Sequence, residues 1–223
     1  MSLNAKASKG NKMDLILMGA PGAGKGTQAE RLQKQLHCTH ISTGDVLRKE
    51  MASGSELGKE ISAVINRGDL ISDEMMLSIL KKVVSGAQGD IIFDGFPRTV
   101  KQAEMLDNML AELGRKPGKV IHISLPEEVV IARLSARKQC KLPSGETKQI
   151  GPDFSLDDCK AQGGEVFTRK DDEPARISLR LSVYHKQTAP VVDFYRTAGR
   201  FVEVNGDQTP DQVFADLLHI LKA

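Results

Sequence analysis

Residues 18–30 read "MGAPGAGKGTQAE" and directly follow the apolar run "LIL" at 15–17. Four glycines and one lysine fall between residues 19 and 26, where a stretch with strand character passes into one with helix character. Such a turn constrains the fold strongly. It aims several backbone N–H groups at one spot, and the helix that follows adds its partially positive N-terminus there. Glycines let the backbone approach a bulky anion, and Lys25 adds a mobile cation, which together make a phosphate cradle. The pattern GxxxxGK runs from Gly19 to Lys25, then continues with Gly26 and Thr27, one place later than the general motif sets its Ser or Thr. The competing reading, a Gly-rich turn that only caps a helix, accounts for neither the lysine nor its context.

The rest of the chain alternates in the same way. Strands are expected at 14–19, 39–43, 90–94, 119–125 and 200–205. Helices are expected at 26–36, 45–53, 56–66, 73–84, 99–113, 126–138 and 209–222, with more helix over 172–198. A long polar stretch occupies roughly 139–170. Short apolar strands separated by helices predict an α/β fold, with a parallel sheet covered on both faces.

Composition excludes several classes of function. The 223 residues carry a formal net charge of +2, with no Trp and 4% aromatic residues. That is neither a polyelectrolyte surface nor a base-stacking platform, so no nucleic-acid partner is expected. No apolar run approaches the ~20 residues of a membrane span. Three widely spaced cysteines make no secreted disulfide framework, and a cytoplasmic protein is expected. Residues 1–12, "MSLNAKASKGNK", have no apolar segment and no Arg. They read as a disordered tail or an expression remnant, with Met13 the original start, and equally as a segment with a native role.

The Gly-rich segment resembles the P-loop of adenylate kinases, including the Gly26–Thr27 departure. The resemblance continues through "ISTGDVLR" (41–48), "GDLISDE" (68–74), "DGFPRT" (94–99) with Gln102 beyond it, and "TRKDD" (168–172). It implies a P-loop NTPase-type five-stranded parallel sheet with two inserts in one domain over 13–223. The core would be 13–41, 72–137 and 170–223, the nucleoside-monophosphate-binding helical insert 42–71, and a mobile lid 138–169. The implied reaction is reversible: ATP and AMP give two ADP with Mg²⁺, in a monomer. A pyrimidine monophosphate kinase is the nearest rival. A nucleotide-binding regulator without turnover is the rival of another class, although drift of that kind would remove Lys25 or the arginines first.

Residue chemistry bears on this reading independently. Phosphoryl transfer concentrates negative charge on a few oxygens, so catalysis is mostly positioning and cationic stabilisation with water excluded. Arginine forks fit phosphates bidentately. By resemblance, Gly22, Ala23, Gly24, Lys25, Gly26 and Thr27 hold the ATP phosphates, while Arg133 and backbone near Gln208 hold its base. Backbone groups do not report the donor base, so GTP stays open. Arg48 and Arg98 hold the AMP phosphate within "STGDVLR" and Gly95–Phe96–Pro97–Arg98. Arg137, Arg169 and Arg180 surround the transferring group, and the last two also belong to the AMP side. Arg133 and Arg137 fall at i and i+4 of a helix, hence on one face. Gln102 pairs with the adenine edge, helped by Thr43 and by the backbone of Asp69, Leu70 and Ile71.

Asp45 and Asp94 are candidates to orient the waters of Mg²⁺, which commonly keeps several. Asp45 has helix capping as an equal alternative. Asp171 and Asp172 orient Arg169 or cap the next helix ahead of Pro174, with capping the stronger reading for Asp172. The lid departs most from the family. Many bacterial relatives bind structural zinc there through two CxxC pairs. Here Cys140 is followed by Pro143 and Cys159 by Gln162, and no His lies between residues 123 and 184. Two thiols do not make a tetrahedral zinc site, so no structural zinc is expected. A Cys140–Cys159 disulfide is sterically conceivable but disfavoured in a reducing compartment. Local turns, polar pairing and packing of Phe154 and Phe167 are expected to hold the lid instead.

Overall fold

Strand β1, Met13–Met18, is apolar almost throughout because both of its faces are covered. A computed structural model describes residues 13–66 and 71–222. Along β1, Leu15 and Leu17 join one buried cluster and Ile16 and Met18 join another, as the two-residue period of a strand requires. The remaining strands of this sheet are β2 (Thr39–Ser42), β3 (Ile91–Asp94), β4 (Lys116–Ser124) and β8 (Phe201–Asn205). Their order is β2-β3-β1-β4-β8, all parallel.

One face is covered by α1 (Lys25–Leu36) and α10 (Pro210–Lys222), through Ala29, Leu32, Val213 and Leu217. The other is covered chiefly by α3 (Glu56–Asn66), α4 (Asp73–Gly86), α5 (Val100–Glu112) and α9 (Ala189–Thr197). Ile61, Leu80, Leu106 and Tyr195 are fully buried there. Each such side chain contributes about 1.5–3 kcal/mol relative to exposure. The helix α2 (Thr43–Ala52) packs mainly on α3.

The amino ends of the strands are closed by a buried ion pair. Asp14, with no exposed surface, accepts the forked guanidinium of Arg115 at 2.7 and 2.5 Å. It also accepts the Ile91 N–H at 3.0 Å, and Arg115 donates to the Gly89 carbonyl at 2.7 Å. The pairing of β1 with β4 begins at Lys116 beside Met13, earlier than the expected 119, with a register shift between Asp14 and Ile16.

Residues 139–167 build a second, small sheet where only turns were expected. Strand β5 (Gln139–Lys141) lies between β6 (Thr147–Gln149) and β7 (Glu165–Phe167), antiparallel to both. Helix α7 (Leu156–Ala161) packs on it behind a capping box of Ser155 and Asp158. Phe154 packs into this unit's core with Cys140, Leu142, Ile150 and Cys159. Phe167 instead pairs along the strand with Gln139. Cys140 and Cys159 form a disulfide, which corrects the expectation of two free thiols. The physical reason is proximity enforced by packing: their Cα atoms lie 5.9 Å apart and neither residue is exposed. A Cβ on Gly164 would lie 2.3 Å from the Cys140 sulfur, so only glycine lets the chain pass there. Arg31 of α1 ties this unit to the larger sheet through Asp153, at 2.7 Å from both Nε and Nη2.

Helix α6 (Glu127–Ala136) precedes the small sheet and α8 (Pro174–Val183) follows it. The expected helix through residue 138 stops at Ala136, and Arg137 is already extended, with ψ 129°. Arg133 and Arg137 therefore do not share a helical face.

Candidate active site

The turn between β1 and α1 sits at the carboxyl end of the central strand, where neighbours on its two sides leave in opposite directions. That is where open α/β sheets bind ligands. Gly19 has φ +142°, and a Cβ on it would meet the Ile123 carbonyl at 2.5 Å. Gly22 has φ +84°, and its Cβ would strike Leu134 at 2.8 Å. No other residue fits these two positions. Lys25 opens α1 and folds back over the loop, donating to the carbonyls of Gly19 at 2.8 Å and Ala20 at 2.9 Å.

Charges converge on this lysine. Burial pushes its ammonium down to about 8; the Asp94 carboxylate opposes that, while Arg98, Arg180 and Arg137 reinforce it. These four groups come from three separate stretches of sequence, with Asp94 and Arg98 sharing one. Asp94 ends β3, and its carboxylate makes no hydrogen bond among the described residues beyond an approach of 3.4 Å to His40 Nε2. His40 was not singled out from the sequence, although it lies in β2 two residues before the "STGD" turn.

Two aspartates hold three arginines. Arg137 forks onto Asp172 at 2.7 and 2.5 Å, and Arg169 forks onto Asp171 with both contacts at 2.8 Å. Arg180 reaches both, donating to the Asp171 carbonyl at 2.9 Å and the Asp172 carboxylate at 3.0 Å. Burial pushes the Asp171 carboxyl up, but Arg169, Arg180 and Arg137 outweigh it and hold it below the usual range. Asp172 is therefore no helix cap, contrary to expectation: it lies in a short 3₁₀ turn and is buried under guanidinium groups, and Glu173 precedes α8 without capping it.

On the other side of the loop, Thr43 is buried and donates to the Asp94 carbonyl at 3.3 Å. Gly95, at φ +81°, passes so close that a Cβ would lie 2.8 Å from the Thr43 hydroxyl. Arg98 Nε donates back to the Gly95 carbonyl at 2.9 Å, while Phe96 and Pro97 are buried beneath it. Arg48 is exposed and paired with Asp45 at 2.5 Å. Burial pushes the Asp45 carboxyl up, but Arg48 more than reverses this and it titrates lower than usual. The cap of α2 is Ser42, which accepts the Asp45 N–H, so Asp45 is not the cap. Gln102, in the first turn of α5, accepts the Arg98 N–H at 2.8 Å and donates to Asp73 at 2.7 Å. Asp73 lies inside "GDLISDE" but carried no role in the sequence reading. Ile71 is buried, whereas Asp69 and Leu70 lie outside the described residues.

Arg133 donates to the Gly206 carbonyl at 3.0 Å. Gln208 lies in the same loop and donates to the Asn205 carbonyl at 2.8 Å and to Asp216 at 2.9 Å. Arg133 and Gln208, 75 positions apart in numbering, thus flank one turn. Ala23, Gly24, Gly26 and Thr27 complete the loop and the first turn of α1.

Among the described residues, no group of three His, Cys, Asp or Glu is placed to hold a metal, and no helix is long and apolar enough to cross a membrane. The family model for adenylate kinase matches residues 17–200. An adenylate kinase of Oceanobacillus iheyensis is 40% identical over 94% of this chain and 99% of its own. One from Caldicellulosiruptor bescii is 43% identical over 88% and 93%, and one from Staphylococcus aureus 41% identical over 94% and 99%.

Proposed function

Because the chain belongs to the adenylate kinase family, whose reaction is reversible phosphoryl transfer between adenine nucleotides, we propose how its own residues divide that work. The donor, ATP, is held at its phosphates by the loop of Gly22 to Thr27, with its base between Arg133 and the backbone at Gln208. The acceptor, AMP, is held at its phosphate by Arg48 and Arg98 and at its base by Gln102 and Thr43. Lys25, Arg137, Arg169 and Arg180 meet the phosphoryl group in transit. Residues 42–71 act as the acceptor-binding insert and 138–169 as the lid that excludes water. The protein works as a cytoplasmic monomer.

The observation that carries this reading is the set of charges that act on Lys25. Asp94 and Arg98 of one short segment, Arg137 and Arg180 all do so, although nothing local in the sequence joins these three places to one another or to Lys25. One cation on a flexible stem and several rigid forks around one point suit a trigonal group moving between two anions. The arginines lose little freedom on binding phosphate, because Asp171 and Asp172 already orient them.

Mg²⁺ fits one carboxylate here better than the other. Asp94 ends its strand beside the loop, and a Cβ on Gly26 would lie 3.6 Å from its Oδ2. Among the described residues no side chain donates a hydrogen bond to its carboxylate, which only His40 approaches, at 3.4 Å, so it can accept from metal-bound water. Asp45 is engaged by Arg48. When bound, Mg²⁺ would neutralise phosphate charge. For structural zinc, thiols joined to each other offer no thiolate ligands.

The test is a coupled assay of ADP formation from ATP with a panel of acceptors. Turnover with AMP well above that with CMP or UMP is expected. Preference for a pyrimidine monophosphate would overturn the acceptor assignment, and absence of turnover in folded protein would overturn the whole reading.

A further inference from the structure

The side-chain amide of Gln102 is held from both ends. Its Oε1 accepts the backbone N–H of Arg98 at 2.8 Å, and its Nε2 donates to Oδ1 of Asp73 at 2.7 Å. A backbone N–H can only donate, and an ionised carboxylate can only accept. Turned by half a revolution, the amide would set its NH₂ against the Arg98 N–H and its carbonyl against the Asp73 carboxylate. Two hydrogen bonds would become two repulsions.

The frame around this amide is equally fixed. Thr99 caps α5 by accepting the Gln102 N–H at 3.1 Å, and Ser72 caps α4 by accepting the Met75 N–H at 3.2 Å. Asp73 is thus locked at the start of one helix and Gln102 in the first turn of the other. Gln102 is only 7% exposed. Lys101 stands 3.5 Å from the second oxygen of Asp73 and 2.9 Å from Glu74, on the outer side.

After these bonds, Gln102 retains one Nε2 proton and one Oε1 lone pair. Their order in space is set. The edge of a 6-aminopurine offers a donor at N6 and an acceptor at N1. A 6-oxopurine reverses them, with an acceptor at O6 and a donor at N1. A freely turning amide serves either edge, whereas a locked one serves a single edge. We propose that Asp73 is a specificity-determining residue: by fixing the orientation of the Gln102 amide, it makes the acceptor site select 6-aminopurine over 6-oxopurine monophosphates. This rests on the reading of Gln102 as the group that meets the acceptor base. Asp73 acts through Gln102 and is a positioning residue.

The test compares kcat/KM for AMP and for inosine monophosphate, with ATP as donor, in the wild type, Asp73→Asn, Asp73→Ala and Gln102→Ala. Asn at position 73 offers a donor as well as an acceptor, so it no longer opposes the turn. The AMP preference should fall by about five- to tenfold, since the Arg98 N–H still favours one orientation. Most of the change should appear in KM, with kcat for AMP nearly kept. An unchanged preference in both Asp73 variants, while Gln102→Ala raises KM for AMP, overturns the lock alone. An unchanged KM for AMP in Gln102→Ala overturns the reading beneath it. A lower melting temperature with an unchanged preference makes Asp73 a helix-end residue only and also overturns the proposal. The near-isosteric Asn variant keeps the test decisive if the Ala variant does not fold.

Discussion

Lys25 rests on the carbonyls of Gly19 and Ala20, whereas Arg137, Arg169 and Arg180 rest on the carboxylates of Asp171 and Asp172. The two arrangements solve different problems. The lysine has neutral carbonyls rather than a carboxylate as hydrogen-bond partners, and burial, reinforced by Arg98, Arg180 and Arg137, pushes its ammonium down to about 8. It holds its proton weakly until an anion arrives. Carboxylates neutralise the arginines in advance and fix their planes, at the expense of some of their pull on phosphate. The loop supplies charge on demand, and the aspartate network supplies geometry.

Removing the lysine should do the most damage. Lys25→Ala is expected to cost ~10²–10³ in kcat with the fold intact, since one preorganised cation at developing charge is lost. Near-normal turnover in a folded variant would show that the arginines suffice, and the contrast between the two regions would collapse.

Disturbing the carboxylates should do less to rate and more to stability. Asp172→Asn leaves the Arg137 fork and one Arg180 contact on a neutral amide in a site with no exposure on the acid side. Breaking a buried pair from one side typically costs about 3–5 kcal/mol, discounted here because Arg180 is partly solvated. A lower melting temperature and about a tenfold loss in kcat are expected, with a smaller change in KM for AMP. Full kcat together with a lower melting temperature would make Asp172 a fold residue alone.

The mildest probe is pH. Below about 8 Lys25 is charged, as its proposed role toward phosphate requires; above it the free enzyme carries a neutral amine. The kcat/KM for ATP, which reports the free enzyme, should fall about tenfold between pH 7 and 9. Stability should move the other way. Between about 8 and the ordinary lysine value of 10.5, the unfolded chain holds more proton at this site, so unfolding becomes harder as pH rises. Burial of half-buried His122 pushes it below its usual range and burial pushes Tyr184 up to about 12, so neither mimics the inflection. The same inflection in Lys25→Arg would assign it to another group.

The features legible from sequence were those written in local chemistry. The turn at Gly19–Lys25 needs its glycines for backbone reasons and announces itself without knowledge of the fold. The sheet strands were legible because burial on both faces makes them continuously apolar. The small sheet at 139–167 was not, because three-residue strands are too short to carry a period. Its disulfide joins residues whose approach depends on Gly164 and on the packing of α7, neither of which spacing reveals. Asp172 looked like a cap because it stands before Pro174, and its true partner, Arg137, is 35 positions away in the chain. His40 and Asp73 were missed for the same reason: each gains its meaning from a side chain on another element.

The buried pair of Asp14 and Arg115 has a bearing on how this protein meets its ionic surroundings. Dissolved ions screen charges they can approach, over about 8 Å at physiological ionic strength, and hardly reach a pair with almost no exposed surface. On the proposed site assignment the sheet is therefore salt-blind at its amino end and salt-sensitive at its carboxyl end, where Lys25 and the arginines would meet phosphate. Rising salt competes with nucleotide at one end while the other goes on anchoring three strands, so substrate affinity can fade in a molecule whose fold scarcely registers the change.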